Sequence, residues 1–282
     1  MAAIRQTVAE TIEDVISWRP VLEPVLRAFE PLMTAQAEIV AELSDSVHAA
    51  DLALPDLAID RARQGVSVLA GKKIKGTAKP LRISAQKLLP LMENMGALNA
   101  HMQALKAFFL QPIEKEASGS LDSLTEILTE SHEALLEAVA SGNREAIARI
   151  AESNGIEARV FDFVSGIIVS PVLRAMVTRS LSGAGSAPWN EGERWQHGYC
   201  PVCGALPSVS WLDKPSLDEK NAFLAGGGGK KHLHCGLCGA NWKFRRGTCP
   251  LCEEEGNGVI EILRESGIAH GERLEWCTKC KS

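Results

Sequence analysis

Through the first two thirds of the chain, apolar residues recur every three to four positions, the period of helices that bury one face. This spacing predicts a helix over residues 4–17, stopped at Trp18-Arg19-Pro20 because proline cannot continue it. A second helix is expected over 24–49, with Pro31 placed to kink or split it. Residues 51–55 form a break, 56–63 a short helix and 66–69 an extended run. Helical spacing resumes over 84–110, with Pro90 near its start, and ends at Pro112. Further helices are expected over 120–141, 143–153 and 156–181. The last is the most apolar and the candidate central helix, and Pro171 makes two shorter helices an alternative. No repeat of fixed period is visible.

Residues 182–188 are small and polar, the composition of a linker. Beyond them the pattern changes to short alternating runs at 206–212, 231–235, 241–245 and 259–263. Five of the six tryptophans and the only tyrosine, Tyr199, lie there. Aromatic and β-branched residues between glycines suit small antiparallel hairpins. The expected class is α+β: an all-α domain at 1–186, then a small metal-binding domain at 187–282.

Composition adds little until the cysteines are considered. The 282 residues are 45% hydrophobic and 23% charged, a globular profile with length enough for a large core. Net charge is −5, and residues 187–282 carry 12 basic against 12 acidic side chains, so the negative balance sits in the helical part. That disfavours nucleic-acid binding, which normally shows a basic excess. The start Met1-Ala2-Ala3-Ile4-Arg5 lacks a signal-peptide pattern. The most apolar stretch, 163–173, is about half the ~20 residues of a membrane helix, so a buried core helix is expected and no membrane insertion. The basic run at 71–82, with Lys72, Lys73, Lys75, Lys79 and Arg82, reads as a loop, either a solvated connector or a docking surface for an acidic partner.

All eight cysteines fall after residue 199, as four Cys-x-x-Cys pairs: Cys200/Cys203, Cys235/Cys238, Cys249/Cys252 and Cys277/Cys280. Such regular pairs without a secretory signal indicate metal ligands in a reducing compartment rather than disulfides. Two residues between cysteines let one tight turn aim both sulfurs at one point, and two turns close a tetrahedral cage of four thiolates. Gly204 and Gly239 follow their knuckles and can take positive φ, so that following N–H groups point at sulfur. Glu253 and Lys281 occupy those positions in the other two knuckles. Nearest-pair ligation is the simplest assignment; interleaved ligation, first knuckle with third, is equally permitted by spacing. Two ions are expected, iron or zinc, since all-thiolate cages accept both.

Lys243, Arg245 and Arg246 lie between knuckles two and three, either offsetting the cage charge or forming a solvated face. His232 and His234 flank Cys235 but are surplus as ligands. Gly226 to Gly229 before Lys230 is not a P-loop, because Leu224 stands where glycine is required and Lys231 where Ser or Thr is; the glycines read as a hairpin tip. No nucleophile–base set, HExxH or dinucleotide fingerprint appears. Glu253-Glu254-Glu255 reads as a solvated charge run. Four cysteines per ion leave no open position, so no catalytic residues and no enzyme activity are expected.

Cys200-Pro-Val-Cys203-Gly204-Ala-Leu-Pro207, followed by Leu233-His234-Cys235-x-Leu237-Cys238, Trp242, Arg246 and Cys249-x-x-Cys252, resembles the formate dehydrogenase accessory protein FdhE family. The apolar segment 160–173 leading toward the first knuckle is similar too. The resemblance covers most of the chain and is specific in the cysteine region. It implies a cytoplasmic maturation factor with rubredoxin-like sites. It also implies a partner, the catalytic subunit of a respiratory molybdenum- or tungsten-dependent formate dehydrogenase, met before export. From the residues alone, a redox or thiol-exchange protein and, more distantly, a zinc-ribbon nucleic-acid binder remain alternatives.

Overall fold

A computed structural model describes residues 6–45, 52–110, 123–182, 186–191, 194–213, 229–263 and 273–282. The expected helix starts at 4 and 120, the helix end at 49, much of the linker and glycines 226–228 lie outside the described residues. The chain divides into two units, Met1–Ala53 with Lys72–Ser180, and Leu54–Gly71 with Leu181–Ser282.

The first unit is helical. Helix α1, Val8–Trp18, begins in a capping box: the Thr7 hydroxyl accepts from the Glu10 N–H and the Glu10 carboxylate accepts from the Thr7 N–H. After a short 3-10 turn, α2 runs over Glu23–Asp45 as one helix with Pro31 inside it, so of the expected kink or split the split is not seen. Helix α4 covers Ala78–Met92 and includes Lys79 and Arg82, which the sequence placed in a loop. Burial of Ala78, Leu81, Ala85, Leu88, Leu89 and Met92 at helical spacing outweighs the local lysines, and the loop narrows to 71–77. The single helix expected over 84–110 is two: α4 ends beyond Pro90, a 3-10 turn covers Gly96–His101, and α5 spans Met102–Leu110. Helices α6, Ser123–Ala140, and α7, Arg144–Ser153, follow the sequence reading, with Asn143 capping α7 through its side chain.

Helix α8, Ala158–Leu181, is continuous through Pro171. It is long and apolar enough to cross a membrane, but 67% of its apolar window is buried in the fold. Val164, Ile168, Val169, Val172, Leu173 and Met176 are all fully buried, each worth roughly 1.5–3 kcal/mol of transfer free energy. Pro171 has no N–H for the Ile167 carbonyl. The Gln36 amide of α2 donates to that carbonyl at 3.0 Å, and the Ser84 hydroxyl of α4 donates to the next one, Ile168, at 2.7 Å. Beside α8, Phe108 packs edge-on to Phe109, Phe161 and His132.

The second unit is small-sheet structure. Strands β1 (Val209–Leu212), β2 (Lys231–His234) and β3 (Asn241–Phe244) form an antiparallel sheet in that order. Leu233 lies opposite Trp242, and both are buried. Strands β4 (Ile260–Leu263) and β5 (Leu274–Cys277) form a separate hairpin. Leu54–Gly71 belongs to this unit and holds α3, Ile59–Arg63. Residues 66–69 are not a strand: the Val68 and Leu69 N–H groups donate to the Pro201 and Val202 carbonyls at 2.8 and 2.9 Å, wrapping the first knuckle.

Candidate metal centres

All four Cys-x-x-Cys turns share one backbone geometry. In each, the N–H of the first cysteine donates to the carbonyl five residues on: Cys200 to Ala205, Cys235 to Ala240, Cys249 to Glu254 and Cys277 to Ser282. In each, the residue after the second cysteine donates back to the first: Gly204, Gly239, Glu253 and Lys281 to Cys200, Cys235, Cys249 and Cys277, at 2.9–3.0 Å. Closing both bonds needs positive φ at that residue, and the four angles are 80°, 74°, 58° and 62°. Glycine meets this without strain; glutamate and lysine do not. The expectation that N–H groups beyond the glycines turn to sulfur is not what the turns show. The Cys238 N–H reaches Cys235 Sγ at 3.5 Å and the Leu251 N–H reaches Cys249 Sγ at 3.4 Å, both from inside the knuckles.

The eight sulfurs gather into two clusters, each with its Sγ atoms within 4.8 Å of one another. Cys200 faces Cys238 and Cys203 faces Cys235, both at 3.5 Å. Cys249 faces Cys280 at 3.6 Å and Cys252 faces Cys277 at 3.7 Å. Of the two pairings that spacing permits, the structure therefore adopts the nearest-pair one. A tetrahedron with metal–sulfur bonds of about 2.3 Å has edges of about 3.8 Å, so the sulfurs stand close to ligand spacing and far from disulfide length.

The protonation chemistry agrees with a cation-binding donor set. Contacts from the Cys200, Cys203 and Cys238 thiols hold Cys235 far below its usual range. Contacts with Cys200 and Cys235 push Cys203 far above it, and contacts with Cys200, Cys203 and Cys235 do the same to Cys238. At the second cluster the Glu254 N–H opposes the shift of Cys252, but lost solvation and the other three thiols push it up to about 12. The Ser282 hydroxyl brings Cys280 down to about 6. A divalent or trivalent ion binds such a crowded donor set in the thiolate form. Each cluster could hold one ion, and soft thiolates suit iron and zinc alike.

The clusters differ in cover. Cys200, Cys203, Cys235 and Cys238 are all buried, whereas Cys252 is half-buried and Cys280 exposed. Two links join them. The Glu253 carboxylate accepts from the Gly198 N–H at 3.1 Å and lies 3.1 Å from His197 Nδ1. Lys231, 3% exposed, ion-pairs with Glu275 of β5. Gly198 cannot be replaced, because a Cβ there would stand 1.8 Å from the Pro250 carbonyl oxygen of the third knuckle.

Glu253 therefore departs from the solvated run the sequence suggested, whereas Glu254 and Glu255 stay exposed, Glu255 pairing with Arg245 at 3.1 Å. Lys243 reaches the Asn190 carbonyl at 3.2 Å, so neither it nor Arg245 turns to a cage. His232 stacks on Trp211 and bonds Asp213 at 2.8 Å, and His234 bonds Asn241 at 2.7 Å; neither joins a cluster. Sequence reasoning missed Glu253, Gly198 and the Lys231–Glu275 pair. Only the lysine left a signal, a cation at an inward position of an alternating strand.

No protein-family model matches the chain. It is 24% identical over 261 residues to protein FdhE of Escherichia coli, covering 93% of this chain and 76% of that one. It is 32% identical over 92 residues to the FdhE homologue of Aquifex aeolicus, 33% of this chain and 29% of that protein's length. The crystal structure of FdhE from Pseudomonas aeruginosa superposes with a TM-score of 0.49 at 18% identity, covering 97% of this chain and 78% of that one. The near full-length sequence similarity, together with the four-knuckle cysteine region, supports the FdhE family for this chain.

Proposed function

We propose that this protein is a non-catalytic accessory factor for a respiratory formate dehydrogenase, acting in the cytoplasm on the catalytic subunit before export. One observation carries the reading: two cages saturated by cysteine stand in a chain related to FdhE proteins over 93% of its length. A cage of four thiolates offers no position for substrate, which favours an architectural role. The bound ion would cross-link hairpins that bury too little apolar surface to fold alone. Cys200, Cys203, Cys235 and Cys238 would hold the first ion, and Cys249, Cys252, Cys277 and Cys280 the second. The knuckle turns hold the sulfurs in place, and Glu253 and Lys231 fasten one module to the other.

The test is co-purification of the tagged full chain, cross-linked in its native host. The expected result is enrichment of the formate dehydrogenase catalytic subunit with its export signal still attached. Absence of that subunit, with formate dehydrogenase activity unchanged in a deletion strain, overturns the reading. A second reading, redox or thiol exchange, is favoured by the exposure of Cys280 and Cys252. A reversible visible absorbance change on reduction, without client capture, selects it instead.

A further inference from the structure

We propose that the second unit carries a binding site for a nucleoside phosphate, separate from both sulfur clusters. A cavity of about 500 Å³ lies beside β3, within the range of small-ligand sites. Five cations line it, Lys230, Lys231, Lys243, Arg245 and Arg246, with no carboxylate among the described lining residues. This concentration stands out in a chain of net charge −5.

The cations are not equivalent. Lys231 is committed to Glu275 and Arg245 to Glu255. Among the described residues, the Lys243 ammonium meets the neutral Asn190 carbonyl and no carboxylate. Lys230 is exposed on the same wall. A concave, low-dielectric wall focuses such charge and draws an anion in. Clustered lysine and arginine suit a multiply charged phosphate better than a single carboxylate.

The apolar side of the cavity is formed by Trp189, Trp195 and Phe244. The Trp189 N–H donates to the Asn241 carbonyl at 2.8 Å and the Trp195 N–H to the Tyr199 carbonyl at 2.9 Å. Both indole donors are consumed and the rings are 3% and 4% exposed, so they offer the cavity narrow apolar edges against which the rim of a flat heterocycle can pack. The Lys243 N–H donates to Asn190 Oδ1 at 2.9 Å and fixes β3 against the Pro188–Asn190 turn, so the wall is preformed. The size matches a mononucleotide rather than a polymer, and the balanced charge of residues 187–282 provides no basic track for one.

The experiment is calorimetric titration of the metal-loaded full chain at low salt with ADP, adenosine, pyrophosphate and an Asp/Glu-rich peptide. ADP should bind one to one, with adenosine and pyrophosphate each at least about tenfold weaker, because each lacks half of the recognition. Lys230→Ala with Lys243→Ala should weaken ADP about tenfold while metal content and helicity stay unchanged. Failure of ADP to saturate by about 1 mM overturns the proposal. Equal affinity for pyrophosphate removes the ring from the recognition and overturns it. Unchanged affinity in the double variant does so by moving the site elsewhere. Binding of the acidic peptide without ADP assigns the cavity to protein docking and overturns it too.

Discussion

Lys281 holds in the fourth knuckle the left-handed position that Gly239 holds in the second, with φ of 62° against 74° and the same bond back to the first cysteine. An L-residue there carries strain of roughly 1–2 kcal/mol that glycine avoids. Lys281→Gly should therefore stabilise the second module by roughly 0.5–1 kcal/mol, less than the full strain because glycine also frees the unfolded chain. Gly239→Ala should destabilise the first by about 1–2 kcal/mol. Rates of metal release to a chelator should fall in the first variant and rise in the second. Glu253 is not a clean site for the same test, because its carboxylate also holds Gly198.

The metal chemistry was legible because ligand spacing is a local property: four Cys-x-x-Cys turns specify four knuckles wherever they fold. Their pairing was not legible, since it depends on which hairpins meet. Strand β5 went unread, although Leu274-Glu275-Trp276-Cys277 alternates, because four residues before a knuckle carry little period. Residues 66–69 read as extended from β-branched composition, yet their N–H groups are taken by carbonyls of the first knuckle more than a hundred residues away. No local pattern encodes such a partner. Pro171 left two shorter helices open beside the single one for the same reason: its splitting effect is offset by Gln36, on a different helix.

That compensation can be measured. Gln36→Leu should cost about 1–2 kcal/mol, because the half-buried Ile167 carbonyl loses the donor that stands in for the missing Pro171 N–H. Pro171→Ala restores the helical N–H. In that background Gln36→Leu should cost well under about 1 kcal/mol, and the difference is the coupling. Denaturant unfolding followed by helical circular dichroism gives both values. Equal costs in the two backgrounds would remove Gln36 from this role.

His132 gives the helical unit a pH dependence. It is fully buried, and burial lowers its pKa from 6.5, with the nearby Arg82 charge acting in the same direction. Its Nε2 donates to the Phe108 carbonyl at 2.9 Å, leaving Nδ1 unprotonated and without a partner among the described residues. The folded state therefore resists a proton that the unfolded state accepts. Stability should be full above pH 6.5, fall as pH drops below it, and level off once the folded state protonates. The depressed carboxyls of Glu10, Glu13 and Glu157 act only below their usual 4.5, so the window between is governed by the histidine. Thermal unfolding of wild type and His132→Gln at pH 7 and 5 should show a larger loss for wild type.

Substitution at the knuckles tests the pairing itself. Cys200→Ala with Cys203→Ala removes two of four donors from the buried cluster. Because Cys249, Cys252, Cys277 and Cys280 form a separate set, one ion should be lost and the other kept. Trp242 reports the damage: it is fully buried, opposite Leu233, and its N–H donates to the His197 carbonyl at 3.1 Å. Its fluorescence should shift to the red. Release of the remaining ion should also quicken, since Lys231 and Gly198 no longer hold Glu275 and Glu253. Cys277→Ala with Cys280→Ala should cost the other ion and leave Trp242 buried. The effect on the rest of the fold should be milder, because Cys280 is exposed and Cys252 half-buried. Metal analysis with thiol titration counts the ions, and loss of both from either double substitution would contradict two independent cages.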